Sequence, residues 1–182
     1  MRNGLFLLVF FTAFLMNCCK GNNNYNDGDT GNTGNAGNTG NTGNTGNTGN
    51  NFPNEHDGLN WSDASSDEMT WHKAIKYCEN LGGRLPTISE LRTLIQNCPT
   101  TETGGECGVT DSCLSDGDCW DDACKGCVKD ESGKYSVFGD NYYFRSSSDL
   151  SDNTDYTWCV GFKFGIVLFN DKFHVSDVCC VK

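Results

Sequence analysis

The chain has 182 residues, twelve cysteines and a formal net charge of -11. An acidic chain is a poor partner for nucleic acid and other simple polyanions, so we predict that it binds no nucleic acid. Twelve cysteines in a chain of this length indicate an oxidising compartment outside the cytosol. Because the N-terminal segment differs in composition from the rest, we predict one folded domain at 52–182.

The N-terminus has the pattern of an export signal. An apolar run from Leu5 to Met16 is too short to span a bilayer and has the length of a secretory signal core. It ends at Leu15-Met-Asn-Cys18, which resembles the lipobox of bacterial lipoprotein signals. We therefore predict a signal peptide at 1–17, lipidation of Cys18 and anchoring to the membrane at the outer surface of a bacterial cell envelope. An ordinary secreted protein is the alternative.

A low-complexity segment follows at 18–51. Glycine recurs at every third residue from Gly28 to Gly49, mostly in Gly-Asn-Thr triplets. Such spacing is what a collagen triple helix requires, but the run contains no proline to pre-set the extended backbone. We predict a flexible tether and a monomeric protein. The alternative is a collagen-like stalk that joins three chains into a trimer.

Two amphipathic helices around a tight joint open the domain. Thr70 is the expected N-cap of the first helix, and Gly82 ends it. Thr87 and Glu90 form the T-x-x-E pattern of a capping box, so a second helix should begin near Ile88. The predicted apolar faces contain Trp71, Ala74, Ile75, Cys78 and Leu81 in the first helix and Leu91, Leu94, Ile95 and Cys98 in the second.

The stretch from 99 to 130 has no helical or strand period and is rich in glycine, aspartate and cysteine. It predicts a long loop excursion whose order comes from disulfides. A zinc site is the alternative for its C-x-x-C element, although the export signal opposes it. The spacing does not decide how the six cysteines pair. These are Cys98, Cys107, Cys113, Cys119, Cys124 and Cys127.

The last third of the chain predicts an antiparallel meander, because apolar and polar residues alternate along it. Asn170-Asp-Lys has the composition of a turn within it. A further short strand, with Trp61 facing inward, is predicted before the helices. The predicted strands lie at 59–63, 142–148, 156–163, 164–169 and 174–181.

Taken together, these motifs resemble a known domain family. The motifs are Trp71-x-x-Ala74-x-x-Tyr77-Cys78, Leu81-Gly-Gly-Arg-Leu-Pro-Thr87, Ser146-Ser-Ser148 and Val178-x-Cys180-Val181. They are similar to the lectin-like C-terminal domain of bacterial collagen-like adhesins. The resemblance implies the C-type-lectin-like fold, an α+β fold in which two helices flank a small twisted antiparallel sheet with a long disulfide-linked loop excursion. It also implies a disulfide between Cys78 and Cys180.

Arg145, Cys159 and Cys179 depart from the family pattern. Two unusual cysteines on strands that are expected to be neighbours suggest a bond between Cys159 and Cys179. The Cys159–Cys179 bond, the Cys78–Cys180 bond implied by the resemblance and three bonds in the excursion would pair all ten cysteines of the domain. Cys18 is assigned to the lipid, so Cys19 is left unpaired in this prediction.

The resemblance implies binding without catalysis. No histidine lies in a metal or triad motif, and paired cysteines leave no nucleophile, so we predict no enzyme and no cofactor. Aromatic residues beside the excursion are the candidate ligand contacts. A calcium site is a further option, because carboxylates crowd one loop, although the sugar-binding Glu-Pro-Asn and Trp-Asn-Asp motifs are missing. The ligand candidates are Trp120, Tyr142, Tyr143 and Arg145, and the calcium candidates are Asp116, Asp118, Asp121 and Asp122.

We therefore predict a lipid-anchored, non-catalytic surface module that binds an extracellular carbohydrate or protein, as an adhesin does. The resemblance points to glycosaminoglycan-like ligands. The eleven basic and twenty-two acidic residues of 52–182 oppose such a polyanion. The alternatives are a structural or display lipoprotein of the envelope without a small ligand and, third, an enzyme of the sulfatase-modifying type, which the Gly-Gly-Arg-Leu-Pro-Thr element also resembles.

Overall fold

The structure is a computed structural model that describes residues 51–127, 135–139 and 142–182. Both predicted helices are present, with α1 at Trp71–Leu81 and α2 at Ile88–Thr93. Helix α1 ends where Gly82 adopts a φ of 86°, a left-handed conformation that costs glycine little. Thr70 occupies the N-cap position of α1, although its side chain makes no capping hydrogen bond.

The capping box of α2 forms as predicted. The Glu90 backbone N–H donates to the Thr87 hydroxyl oxygen, and the Thr87 N–H donates to the Glu90 carboxylate at 2.8 Å. Arg84 donates to the same carboxylate at 2.6 and 2.7 Å, so it connects the joint between the helices to α2. Arg84 therefore stabilises the joint.

The domain is a small α+β structure with two antiparallel sheets. A hairpin of β1 (Asn54–His56) and β2 (Leu59–Trp61) precedes the helices. The second sheet has the order β3-β4-β5, with β3 at Tyr143–Asp149, β4 at Tyr156–Gly161 and β5 at Ile166–Asp171. Strands are therefore present at four of the five predicted positions.

The last predicted strand, at 174–181, is wrong. This segment makes isolated bridges instead, including a parallel bridge from Asp177 to Phe144 of β3 and antiparallel bridges from Val181 to Trp61 and Arg84. It runs beside β3 and links the sheet to the hairpin and to the joint before α2.

The sheet has an inner face that packs on α2. Phe144, Trp158 and Val160 form a buried cluster with Ile88 and Leu91 of α2. Helix α1 packs separately, since Ala74 and Cys78 form a second cluster with Val178 and Cys180 of the C-terminal segment. Apolar burial thus holds α2 against the sheet and α1 against the C-terminal segment.

Nested disulfides organise the excursion. All six of its cysteines pair with one another, as predicted, in the bonds Cys98–Cys127, Cys107–Cys124 and Cys113–Cys119. The excursion also contains a short helix α3 (Asp116–Cys119) and a 3₁₀ turn (Asp122–Lys125), which the sequence pattern did not reveal. Arg92 reaches into it and donates to the carbonyl oxygens of Thr101, Val109 and Glu102.

The bond between Cys78 and Cys180 forms, as the resemblance implied, and joins α1 to the C-terminal segment. The predicted bond between Cys159 and Cys179 is not formed, although both side chains are buried. The reason is the sheet order: β3 lies between β4, which carries Cys159, and the C-terminal segment, which carries Cys179.

No helix in the described ranges is long and apolar enough to cross a membrane. The predicted signal peptide at 1–17, the lipidated Cys18, Cys19 and the Gly-X-Y run lie outside the described residues.

Candidate binding surface

The side of the sheet that faces away from α2 is here called the outer face. Residues that pair directly across antiparallel strands point to the same side, as do residues two apart along a strand. The outer face therefore carries Tyr143 and Arg145 of β3, Cys159 of β4, and Ile166 and Leu168 of β5. Tyr143, Ile166 and Leu168 are only partly buried and belong to neither apolar cluster.

Arg145 holds the loop 171–176 on the outer face. Its guanidinium donates to the Thr157 hydroxyl at 2.9 Å, to the Asp171 carbonyl at 3.1 Å and to the His174 carbonyl at 2.8 Å. A longer contact of 3.4 Å reaches the Ser176 hydroxyl. The side chain is 0% exposed. The interpretation of Arg145 as a ligand contact is therefore corrected, because its donors are directed into the protein.

Lys172 also fixes the loop, near its start. The Lys172 ammonium lies 4.1 Å from the ring centroid of Trp71 and 2.8 Å from the Asp149 carboxylate. The Trp71 backbone N–H donates to the Lys172 carbonyl at 3.1 Å. The Asp171 carboxylate accepts the backbone N–H groups of Phe173 and His174 at 2.9 and 2.8 Å. Charged groups thus define the path of the loop, and its apolar side chains are left outside.

Exposed apolar side chains belong to the loop on this face. In the described ranges three large hydrophobic side chains are exposed: Phe173 at 79%, Val175 at 43% and Tyr142 at 41%. Phe173 and Val175 lie in the loop held by Arg145, whereas Tyr142, two residues before Phe144, belongs by strand alternation to the opposite side of the sheet. We call the exposed and half-buried apolar residues of the outer face and its loop the outer-face patch. It consists of Tyr143, Ile166, Leu168, Phe173 and Val175.

Gly161 lets two members of the patch pack closely on the sheet. A Cβ at this position would lie 2.5 Å from a ring carbon of Tyr143 and 2.8 Å from a methyl group of Ile166. Any larger residue at position 161 would therefore displace the Tyr143 ring and the Ile166 methyl group. The flat shape of the patch between β3 and β5 thus depends on a glycine at this position.

Cys159 lies beneath the patch and is a poor nucleophile. It is completely buried, and burial raises the pKa of its thiol to about 11 although Arg145 and Thr157 act in the opposite direction. The thiolate is the reactive form of cysteine, so Cys159 stays protonated and unreactive at neutral pH.

Trp120 lies away from the outer face. Its indole N–H donates to the Val167 carbonyl at 2.8 Å, and the half-buried ring packs against the inner cluster. The Lys125 ammonium lies 5.7 Å from the ring centroid. Of the four residues predicted as ligand contacts, the structure thus places Tyr143 and the buried Arg145 on the outer face, leaves Tyr142 exposed just before β3 and holds Trp120 against the backbone of β5.

The four aspartates proposed for calcium do not converge. Asp121 accepts the Ala123 N–H and begins the 3₁₀ turn, while Asp122 pairs with Lys125 at 2.6 Å. The Asp116 backbone N–H donates to the Asp152 carboxylate. The main cause that lowers the pKa of Asp152 is a hydrogen bond from the Ser115 hydroxyl. Among the described residues no group of three histidine, cysteine or acidic side chains could hold a metal ion. The interpretation of these aspartates as a calcium site is therefore corrected.

A shallow cleft of about 370 Å³ lies in the excursion. Asp111, Leu114, Asp118 and Ser151 are among its lining residues. The Asp111 carboxylate already accepts the Ser89 N–H at 3.2 Å. The cleft thus contains Asp118 of the predicted set, but none of the exposed aromatic side chains.

Sequence reasoning missed Phe173 and Val175. The alternation of residues 174–181 predicted a strand that included Val175, and Phe173 was not singled out. The sequence signal for this loop is Asp171, which follows an asparagine. Aspartate side chains commonly cap turns by accepting backbone N–H groups a few residues ahead.

Comparison with known proteins gives the family. The family model of the Lcl C-terminal domain matches residues 52–182. The chain belongs to the Lcl C-terminal domain family. In this Lcl C-terminal domain, both helices, all four disulfides of the described residues and the outer-face patch lie inside the matched range. No curated protein and no solved structure matches the chain.

Proposed function

We propose that this protein is a non-catalytic binding module, anchored by a lipid at the outer surface of a bacterial cell envelope, that recognises an extracellular carbohydrate or protein. The observation that carries the proposal is the exposure of two large apolar side chains, Phe173 and Val175, in the loop that Arg145 holds on the outer face of the sheet. Exposed apolar surface of this kind marks sites of recognition more often than chance arrangement would. Aromatic side chains are the usual anchors of such sites.

We further propose that the domain has the C-type-lectin-like fold. Support comes from three features: a helix pair outside a small antiparallel sheet, a long disulfide-linked excursion, and the bond from Cys78 to Cys180. In this proposal the helices and disulfides are a scaffold, and the loop 171–176 is the variable element that a scaffold of this type presents.

Binding rather than catalysis is supported by the chemistry of the site. Cys159 is buried and protonated, and the guanidinium of Arg145 is directed inward. The remaining side chains of the patch are apolar or phenolic. Surfaces of that composition supply contact area and shape, and they offer no pair of groups for proton transfer.

The lipid anchor has its own test. Palmitate labelling of the chain expressed in a bacterium should be lost in Cys18→Ser and kept in Cys19→Ser. Labelling that Cys19→Ser loses and Cys18→Ser keeps would move the anchor to Cys19, and absence of labelling in the wild type would remove it from the proposal.

The binding function is tested with the purified chain on arrays of glycans and of extracellular and envelope proteins, with calcium and with a chelator. The matched pair of variants is Phe173→Ser/Val175→Ser, which removes the exposed apolar side chains, and Asp57→Asn, which changes an exposed residue beyond α2. We expect binding to at least one class of ligand that the double variant loses and Asp57→Asn keeps. Absence of binding on every array would contradict the proposal and support a display lipoprotein without a ligand.

A further inference from the structure

One disulfide of the excursion lines the shallow cleft. Cys113 and Cys119 are both lining residues of the cleft, and Cys113 is partly exposed. The cysteines of two other bonds, Cys78–Cys180 and Cys107–Cys124, are at most 2% exposed. Among these three bonds, solvent therefore has access to Cys113–Cys119 alone.

The remaining bond, Cys98–Cys127, is held more firmly. Cys127 is partly exposed, but its N–H donates to the Phe164 carbonyl at 2.8 Å and its carbonyl accepts the Tyr135 hydroxyl at 2.8 Å. Its partner Cys98 is completely buried in the inner cluster. Because attack on Cys127 has to release the Cys98 sulfur into the core, we expect exchange at this bond to be slow.

Opening the Cys113–Cys119 bond disturbs little of the fold. It spans 6 residues, against 17 or more for each of the other bonds, and a short loop constrains the unfolded chain least. The element inside it is α3, a helix of four residues. Leu114 stays attached without the bond, since its carbonyl accepts the Ser151 N–H at 3.0 Å and the Trp158 indole N–H at 3.1 Å. Reduction thus frees α3 while the core keeps its contacts.

The cleft carries negative charge. Asp111 and Asp118 are exposed and line it, and none of its lining residues is basic. Arg84 interacts electrostatically with Asp111, but its guanidinium is bound to the Glu90 carboxylate. Disulfides are attacked by thiolates, so the two carboxylates repel the attacking group. A positive group on the same small molecule offsets this repulsion, and a second negative group increases it.

We propose that Cys113–Cys119 is a thiol-exchange site that accepts small aminothiols in preference to carboxylated thiols. A thiolate attacks the Cys113 sulfur, the S–S bond breaks, and its electron pair leaves on Cys119, which takes up a proton. A second thiolate attacks the sulfur of the small molecule now bound to Cys113, which leaves as a thiolate and is protonated. Two small thiols are thus oxidised to one disulfide while one protein disulfide is reduced. The proposal goes beyond the proposed function and does not depend on ligand binding at the outer-face patch.

The first test follows reduction of the purified full chain by cysteamine. Thiols that appear in the folded chain are trapped with light N-ethylmaleimide, and all other cysteines receive the heavy reagent after unfolding and full reduction. Peptide mass spectrometry then gives a rate for each bond. Cys113 and Cys119 should gain light label at least about 10-fold faster than the cysteines of the other three bonds, because exposed disulfides are the labile ones.

The second test compares cysteamine, 2-mercaptoethanol and mercaptoacetate, with 2-hydroxyethyl disulfide as an uncharged reference substrate. At low salt the ratio of cysteamine to mercaptoacetate rates should be about 10-fold higher on the chain than on the reference, and 1 M salt should remove the difference. Asp118→Asn should lower the ratio by about 3-fold, since one of two carboxylates is lost. Glu55→Gln, which removes an exposed charge from β1, should leave it unchanged. Far-ultraviolet circular dichroism checks that each variant keeps the fold.

Each outcome decides a different point. Simultaneous labelling of all four bonds, or earlier labelling of Cys98 and Cys127, would overturn the exchange site. A rate ratio equal to that of the reference, or one that Glu55→Gln lowers as much as Asp118→Asn does, would overturn the selection by charge. Hydrogen exchange of the partly reduced chain should rise at 113–120, and a loss of protection in the β3-β4-β5 sheet would contradict local opening.

Discussion

Arg145→Ala tests how the candidate binding surface is built. The substitution removes three good hydrogen bonds, to Thr157, Asp171 and His174, and leaves the Thr157 hydroxyl buried and the two carbonyl oxygens partly buried. Hydrogen bonds to a charged group contribute about 1.5–3 kcal/mol each, so the gross loss is about 4.5–9 kcal/mol. Part of this is offset, since a buried guanidinium without a carboxylate carries a desolvation penalty of several kcal/mol. We expect a net loss of about 3–5 kcal/mol in the free energy of unfolding.

The assay is urea unfolding with the disulfides intact, combined with hydrogen exchange of the loop 171–176. Arg145→Ala should speed exchange at Phe173, His174 and Val175. Arg145→Lys should fall between alanine and wild type, because one ammonium cannot reproduce the rigid fork of a guanidinium.

Arg92→Ala is the matched control. Arg92 is also buried and makes three hydrogen bonds, but its acceptors are backbone carbonyls of the excursion, at Thr101, Glu102 and Val109. It should cost a similar free energy of unfolding while faster exchange appears in the excursion and not in the loop. The reasoning is refuted if Arg145→Ala loses less than about 1 kcal/mol, the range of ordinary surface substitutions, and leaves exchange in the loop unchanged.

Three further predictions follow from the scaffold. Removing the Cys78–Cys180 bond, which spans 102 residues, should cost about 2 kcal/mol more in unfolding free energy than removing Cys113–Cys119, which spans 6, because loop entropy grows with length; equal losses in calorimetry would refute this. Hydrogen bonding to Arg84 lowers the pKa of Glu90, so this pair stabilises the fold above the usual glutamate range and the contribution disappears as pH falls through the lowered pKa. Both side chains are partly exposed, so Glu90→Gln should reduce stability at neutral pH by less than about 1 kcal/mol, and a loss that persists at acid pH would contradict the assignment. Cys159 should resist alkylation by iodoacetamide at pH 8 until urea unfolds the chain, because it is completely buried and its pKa is about 11. Rapid labelling of the native protein would contradict this and show that the outer face opens above Cys159.

Local features of the fold were predictable from the sequence, and those set by distant parts of the chain were not. Thr87 and Glu90 cap α2 through contacts three residues apart, and Gly82 ends α1 for reasons contained in its own backbone. The strand order, in contrast, depends on contacts between distant parts of the chain. Cys159 and Cys179 were expected on neighbouring strands, but the C-terminal segment runs beside β3, an arrangement that no local pattern reveals.

The candidate site was predictable only in part for the same reason. Tyr142 and Tyr143 stood out as aromatic residues near a strand, and Tyr143 lies at the outer face. Arg145 has the composition of a ligand contact, and only the position of the loop 171–176 shows that its partners are internal. Val175 fits the period of a buried strand, and the cap formed by Asp171 decides otherwise.

Site-specific photo-crosslinking tests most directly whether the outer-face patch is the binding surface. A photoreactive phenylalanine analogue replaces Phe173 with little change in shape, and the same analogue at Glu55, an exposed residue of β1, is the control. After incubation with extracellular and envelope proteins or with glycans, a crosslinked partner should appear from position 173 and not from position 55. Crosslinks from position 55 alone, or to the same extent from both positions, would contradict the account.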